Sequence, residues 1–453
     1  MTMIEPIAVP KVIVVGGGIA GQTAGFRLKQ RGFAVTVLEA NPEIVGGEMS
    51  SVRANGFTFN RASTILPSSY TQFVDLAREL GVEHKFKGTV EAVFSIPRDG
   101  KVHRLRGSGI GAALDMLGTG LLSARSKIGL AKLGIDVAKA KKHVSYDRVA
   151  TTLDTETIDQ YCKRRLNRET EDYLIKALAR GFYLYEPDDL SMVDLYFALT
   201  KFSGIDFFQY VEGIDFVNRA LADALDTVMG ARVTHVEETK AGVRVTWQQG
   251  RTEHVATADA CIMAMPAPHI PQIYPQLSAR QKEILGEHIP YGSIIKASHV
   301  LDRRPDDPTI AMSIPRCESE AVGIVVFEHN YRPDITAGKG LLGSYWMNDW
   351  NQSRMTASDA ELEAEMIPEM AKFIPGFADM LEFSHISRWP VATICSYPGM
   401  YRTIDEFSRS ISAGSPVQFC GDYLNVPGTN MSSLSGERAA MRVADRFAGV
   451  LPS

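Results

Sequence analysis

The sequence predicts an α/β fold, and three local patterns carry that prediction. Lys11–Val15 is a short apolar run rich in β-branched residues, suited to a parallel strand buried on both faces. Gly16-Gly17-Gly18-Ile19-Ala20-Gly21 follows and leads into Gln22–Gln30, which has helical character. Ala34–Leu38 is a second short apolar run and ends on Glu39. Strand, turn, helix and strand within roughly 30 residues make one βαβ unit.

The chain has 453 residues, enough for about two or three structural units and a large core. A net charge of −5, with 45% hydrophobic and 22% charged residues, excludes a disordered, collagen-like or coiled-coil chain and provides no general field for nucleic acid. Cys162, Cys261, Cys317, Cys395 and Cys420 are scattered without CxxC pairs, so neither a disulfide framework nor a structural zinc site is expected. This usage suits a reducing compartment, and the N-terminus has no signal-peptide pattern, so a cytoplasmic location is expected. The low-charge run Gly107–Ala124 contains Asp115 and several glycines and is too short and too weakly apolar to span a membrane. The histidines show no metal-ligand spacing, so no metal is expected.

The glycine turn has a mechanical reading. Gly16 makes the tight turn, Gly18 lets backbone approach a pyrophosphate, and Gly21 lets the helix pack on the strand. Ile19 and Ala20 stand between Gly18 and Gly21 in this turn, and the N-terminus of the helix that follows presents N–H groups and a partial positive charge to phosphate. Glu39 is placed to accept bonds from ribose hydroxyls. NAD and FAD both satisfy this unit.

Further along, residues 71–81 read as a helix stopped by Gly81, and 88–106 as a β-ribbon turning at Asp99-Gly100. Residues 110–143 read as long, helical and increasingly basic, and 153–202 as mostly helical. Asp215–Val228 reads as a helix. Val233–Glu237, Val243–Gln248, Glu253–Ala256 and Ala258–Met265 read as strands, as do 292–301, 322–328 and Val417–Cys420. Helices are expected over 358–373 and Ser435–Ala448.

Beyond Glu39-Ala40 come Gly46-Gly47 and GFTFN at Gly56–Asn60, and near the far end PVQFCGDYLNVPGTNMSSLSGERAAMRVADRF at 416–447. Together these resemble the flavin-containing amine oxidase superfamily, which includes protoporphyrinogen oxidases, phytoene-type desaturases and monoamine or polyamine oxidases. The middle also resembles it, in YVEGIDFVNRALADAL at 210–225 and ARVTHVEE at 231–238. The resemblance implies FAD. It lays Ala40, Gly46 and Gly47 along the cofactor, puts the Val233 backbone against adenine, and sets Gly421-Asp422 near the ribityl-phosphate part. It starts a helix around Met431–Gly436 at the pyrimidine edge, where a positive helix end favours the anionic reduced flavin. The chain departs from the pattern at Glu48, where Arg is usual after the Gly-Gly pair. Asn60 and Ala62 stand in the Asp and Gly positions of a following element, and Glu212 replaces a glycine.

A flavin takes a hydride equivalent from a C–H bond, and protein groups position the substrate and tune the ring. Lys296 stands isolated in the apolar run YGSIIKASHVL, with Ser298 on the same strand face, and resembles the lysine that amine oxidases bond through water to flavin N5. A solvent-facing edge lysine is the alternative. Tyr423, and Tyr397 and Tyr401 in ICSYPGMYRTI, fall in segments that line the family's substrate cavity. Phe182, Tyr183 and Tyr185 form a further aromatic group. For any one tyrosine, core packing is the favoured role and cavity lining the alternative. Cys395 lies two residues before Tyr397 rather than adjacent to it, so FAD bound without a covalent link is expected. Residues 110–143 read as a solvated helix pair capping the substrate domain, with peripheral membrane contact the less favoured alternative.

The combined expectation is a Rossmann-like FAD/NAD(P)-binding domain (1–85, 205–285 and 390–453) interleaved with an α+β substrate domain (86–204 and 286–389). The implied activity is FAD-dependent removal of hydride from an apolar or cyclic small molecule, with CH–CH desaturation favoured. Amine oxidation is the alternative, and a flavin-dependent isomerase or mutase a second one. Oxygen or another acceptor would reoxidise the flavin, no nucleic acid partner is expected, and a homodimer is left open.

Overall fold

In the computed structural model, residues 9–107, 109–146, 150–202, 204–335 and 338–448 are described. Five strands form one sheet, in the order Val417–Phe419, Ala260–Met263, Lys11–Val15, Ala34–Glu39 and Asp226–Met229. All four pairings are parallel. Lys11–Val15 is central, and its last four residues are buried, as a strand covered on both faces requires. The sheet thus draws strands from both ends of the chain and from its middle, in the expected Rossmann-like α/β arrangement.

Two helices cover the same region of this sheet, Ile19–Gln30 and the C-terminal Thr429–Arg446. Their contact is built from small residues, including Ala20, Ala24, Ala439 and Ala440, all buried in one core with Val12, Val14 and Val37. A Cβ added at Gly436 would sit 2.1 Å from the Ala20 carbonyl oxygen, and one at Gly21 would sit 2.1 Å from that of Gly16. Only glycine permits these approaches. A three-stranded antiparallel meander, Ala231–Thr239, Gly242–Gln249 and Thr252–Ala258, flanks the parallel sheet.

The second large sheet has seven strands, ordered Leu381–Trp389, Ile294–Leu301, Gly340–Trp346, Val322–Phe327, Ala311–Ser313, Val93–Arg98 and Lys101–Arg106. Neighbours run antiparallel except Ala311–Ser313 beside Val93–Arg98. All eight residues of Ile294–Leu301 are buried. Helices between 109 and 201 pack into a separate core that includes Tyr161, Ile175, Leu190 and Leu195.

Several elements differ from the sequence expectation. The helix expected over Asp215–Val228 ends at Ala224, and Asp226–Met229 pairs as a strand with Thr36–Glu39 instead. The edge of a parallel sheet overrides local helical propensity there. The final helix begins at Thr429, six residues before Ser435. Its first turns, TNMSSLSG, have loop-like composition, but burial against the first helix and neighbouring core holds them helical. Residues 110–143 form two helices, Gly109–Gly118 and Ala124–Ala140, because Ser123 caps a new start by accepting the Ser126 N–H. The hairpin of Ser51–Ala54 and Phe57–Asn60 turns on Asn55-Gly56, both at positive φ. That dipeptide is a strong hairpin signal, and the sequence reading did not use it.

The Gly436 contact yields a direct test. Gly436→Val is expected to cost roughly 1–3 kcal/mol or more by overpacking. Thermal denaturation should show a clear loss of Tm, whereas Gly286→Ala, whose added Cβ meets nothing within 4 Å, should not.

Candidate functional site

A cavity of about 770 Å³ runs along the C-terminal edge of the parallel sheet. One end is walled by Glu39, Ala40, Arg232, Val233 and His269, the middle by the two glycine turns, and the other end by Tyr291, Thr393, Asp422 and Thr429.

The glycine turn forms as its sequence dictates. Gly16 has φ +113°, and an added Cβ would strike the Ala264 carbonyl oxygen at 2.4 Å. Gly18, by contrast, faces open space, since a Cβ there would meet nothing within 4 Å. The first helical turn leaves N–H groups without intrahelical partners, directed at this space. Gly46 donates its N–H to Gly17 O at 3.0 Å, so the second glycine pair lies alongside the first turn. Glu39 accepts the Gly17 N–H at 2.8 Å and the Asn41 N–H at 2.7 Å, which aims its carboxylate at the cavity.

At the far end, Gly421 donates its N–H to Ser435 Oγ at 2.9 Å, and Tyr291 donates to Asp422 Oδ1 at 3.2 Å. Burial raises the Asp422 carboxyl to about 6. Thr429 and Ser432 line the cavity, so a second helix N-terminus borders it. Residues 290–292 and 392–395 are joined by backbone hydrogen bonds, holding Tyr291 and Thr393 side by side. Trp389 completes this end, with the Arg61 guanidinium 4.5 Å over its ring.

Of the residues singled out in the sequence, Gly16, Gly18, Ile19, Ala20, Glu39, Ala40, Gly46, Gly47, Val233, Gly421 and Asp422 all line this cavity. Gly21 and Met431 do not. Gly21 closes the helix onto the turn, and the buried Met431 side chain packs under Gly428, leaving only its backbone in the helix's first turn. Tyr291, Trp389, Thr393, Arg232, His269 and Ser63 were missed, because nothing in their local sequence marks them and only chain crossing assembles them.

Lys296, Tyr423 and Tyr397 are not in the cavity wall. Lys296 is completely buried between two neighbouring strands, which removes the solvent-facing alternative. Its ammonium donates to Asn60 O at 2.6 Å and Glu328 Oε1 at 2.8 Å. Glu328 Oε2 accepts from Arg332 at 3.0 Å and from Asn60 Nδ2 at 3.3 Å, and Arg332 also donates to Thr58 O at 2.9 Å. Burial lowers the lysine pKa against the pull of Glu328, and burial raises that of Glu328 less than Lys296 and Arg332 together lower it. Tyr423 is fully buried, its hydroxyl without a partner among the described residues. Tyr397 donates to His288 O at 3.2 Å. Tyr401 bonds to the buried Asp194, and Tyr183 donates to the Asp194 carbonyl at 2.9 Å. Cys395 lies outside the cavity wall, and burial pushes its thiol up to about 12.

A second cavity, of about 510 Å³, adjoins Tyr185, which donates to the Thr393 carbonyl at 3.3 Å. Glu186, Asp189, Asp349, Trp346 and Trp350 line it. Glu186 and Asp189 are neighbours in the sequence, and folding brings the distant Asp349 beside them.

Lys296→Met would leave Glu328 buried with one cation fewer, so a loss of about 3–5 kcal/mol is expected in urea denaturation. Pairing it with Glu328→Gln should restore part of that loss.

A model of the family "Flavin containing amine oxidoreductase" matches residues 19–444. Protoporphyrinogen oxidase 2, chloroplastic/mitochondrial, of Arabidopsis thaliana is 29% identical over 190 residues, 42% of this chain and 35% of that protein. Matches of this kind span 34% to 39% of the length of three curated oxidase relatives. Among solved structures, putrescine oxidase bound to putrescine aligns with a TM-score of 0.76 at 19% identity, over 97% of this chain and 100% of that one. Cyclohexylamine oxidase from Brevibacterium oxydans IH-35A aligns with a TM-score of 0.74 at 16% identity, again over 97% and 100%. At these identities the structures speak for the fold.

Proposed function

The chain belongs to the flavin containing amine oxidoreductase family, and from that premise we propose that it is an FAD-dependent oxidoreductase removing hydride from a C–H bond of an apolar or cyclic small molecule. The observation that carries this reading is the single cavity running from Glu39, past two glycine turns, to Asp422 and the start of a second helix. Its donors suit a dinucleotide: a carboxylate for ribose, free N–H groups for diphosphate, and a helix N-terminus at the opposite end. FAD, when bound, supplies the two-electron chemistry.

The chain's own residues hold and enclose the cofactor. Gly16, Gly18, Ile19, Ala20, Gly46 and Gly47 present backbone to it, with Gly21 closing the turn behind them. Glu39 and Ala40 take the ribose, Val233 the adenine side, and Gly421, Asp422 and the Met431 backbone the flavin side. Lys296 acts from behind the wall as a positioning residue, fixing the Asn60 carbonyl of the segment that leads to Ser63, while Tyr397 and Tyr423 pack in the core behind the wall. Cys395 lies outside the wall, which supports noncovalent binding. Residues 1–85, 205–285 and 390–453 serve the cofactor, and 86–204 and 286–389 the substrate. A cytoplasmic setting and reoxidation by oxygen or another acceptor accompany this reading.

Desaturation of a CH–CH unit is the first reading of substrate. Amine oxidation is the second, favoured by the acidic, tryptophan-lined cavity beside Tyr185, which suits an ammonium group. An anaerobic bleaching screen with cyclic ketones, polyenes and amines tests both. One class should reduce the flavin without prior reduction, and acid precipitation should release the colour into the supernatant. A protein that turns over substrate only after its flavin has been reduced would be an isomerase or mutase instead.

Ile110, Leu114 and Leu117 are exposed on one helix, and Ile128 and Ile135 on the next, beside Arg125, Lys127 and Lys132. Among the described residues, no helix is long and apolar enough to cross a membrane. This pattern supports peripheral contact with an anionic bilayer. The protein should float with anionic liposomes and lose that behaviour in the Leu114→Asp/Leu117→Asp variant.

A further inference from the structure

Glu48 stands where the resembled family usually has Arg, immediately after Gly46-Gly47 in the cavity wall. Its backbone carbonyl accepts the Ser63 N–H at 3.1 Å, which fixes the turn. Its carboxyl makes no hydrogen bond or ion pair with any described residue. The wall around it holds Gly46, Gly47 and Met49 on its own segment, Ser63 beyond the hairpin, and Tyr291 and Asp422 opposite. The charged and titratable groups facing this cavity are Glu39, Glu48, Asp422, Tyr291, His269 and Arg232, with Arg61 behind Trp389. Three carboxyls therefore share a cavity whose lining holds one arginine.

Resting on the FAD reading above, we propose that Glu48 meets the cofactor as a neutral carboxylic acid and donates a hydrogen bond to its anionic portion. A carboxylate at this point would oppose both Asp422 and a diphosphate, whereas an acid reverses the polarity and becomes a charge-assisted donor. In the free protein, burial together with the Asp422 charge raises the Glu48 carboxyl to about 8. An anionic ligand accepting its proton would raise it further. The sign follows from linkage: above the free-state value Glu48 must regain a proton to bind, so affinity falls by up to about tenfold per pH unit until the bound-state value is passed.

Isothermal titration of the apoprotein with FAD, in buffers of different ionisation enthalpy, measures the protons taken up. Uptake should be small at pH 7 and approach one proton near pH 9, with the dissociation constant rising in step. E48Q keeps a neutral donor and should show no such uptake and a flat profile over the same range. D422N removes the charge that raises Glu48, so its profile should shift to lower pH while keeping its slope. Binding by the native protein with no proton uptake at any pH overturns the proposal, as does an E48Q profile parallel to the native one. Should E48Q not fold, the native uptake and the D422N shift still decide the matter. Failure to bind FAD at pH 7 would instead strike the functional reading itself.

Discussion

Backbone contact at glycine is the constraint on which the rest of this structure depends. At Gly16, Gly21 and Gly436 a side chain would collide with a carbonyl oxygen at 2.1–2.4 Å. These approaches seat the first helix on its strand and the last helix on the first. The two chain ends are thereby locked into one layer, and the cavity is the space left along its edge. A pocket made by backbone approach presents N–H groups at fixed positions and costs no side-chain ordering on binding.

The second organising feature is ionic. Lys296, Glu328 and Arg332 are fully buried and satisfy one another and the backbone of Thr58 and Asn60. Asn60 Oδ1 also accepts from the Ile214 N–H at 2.9 Å and from Ser51 at 3.0 Å. The network therefore ties the seven-stranded sheet to the hairpin that follows the glycine pair. Such a cluster gains little net stability, but it specifies one arrangement, because any other would strand a buried charge. Ser63, three residues beyond Asn60, is held in the cavity wall as a consequence.

The βαβ unit was legible because its periodicity, glycines and terminal acid are all local, and Lys11–Val15 and Ala34–Glu39 form within a residue of expectation. The glycines that line the cavity were legible for the same reason. The start of the C-terminal helix was less so: local composition put it at Ser435 and the resemblance near Met431, whereas burial holds TNMSSLSG helical from Thr429. The environment of Lys296 was not legible either: an isolated lysine in an apolar strand announces that it needs a partner, but not that the partner is Glu328 rather than a ligand.

What the sequence alone determined is the chemistry of approach: which short segments can bring backbone to a phosphate, and which carboxyls stand at their ends. Those properties reside in residues a few positions apart, where steric rules act directly. Only the tertiary structure decided which distant groups face each other. It set Glu48 against Asp422 across a cavity, closed Lys296 into an ion network, and gathered Glu186, Asp189 and Asp349 around Tyr185. Charge interactions depend on distance and solvent exposure, and neither exists until sheets and helices from remote parts of the chain have packed.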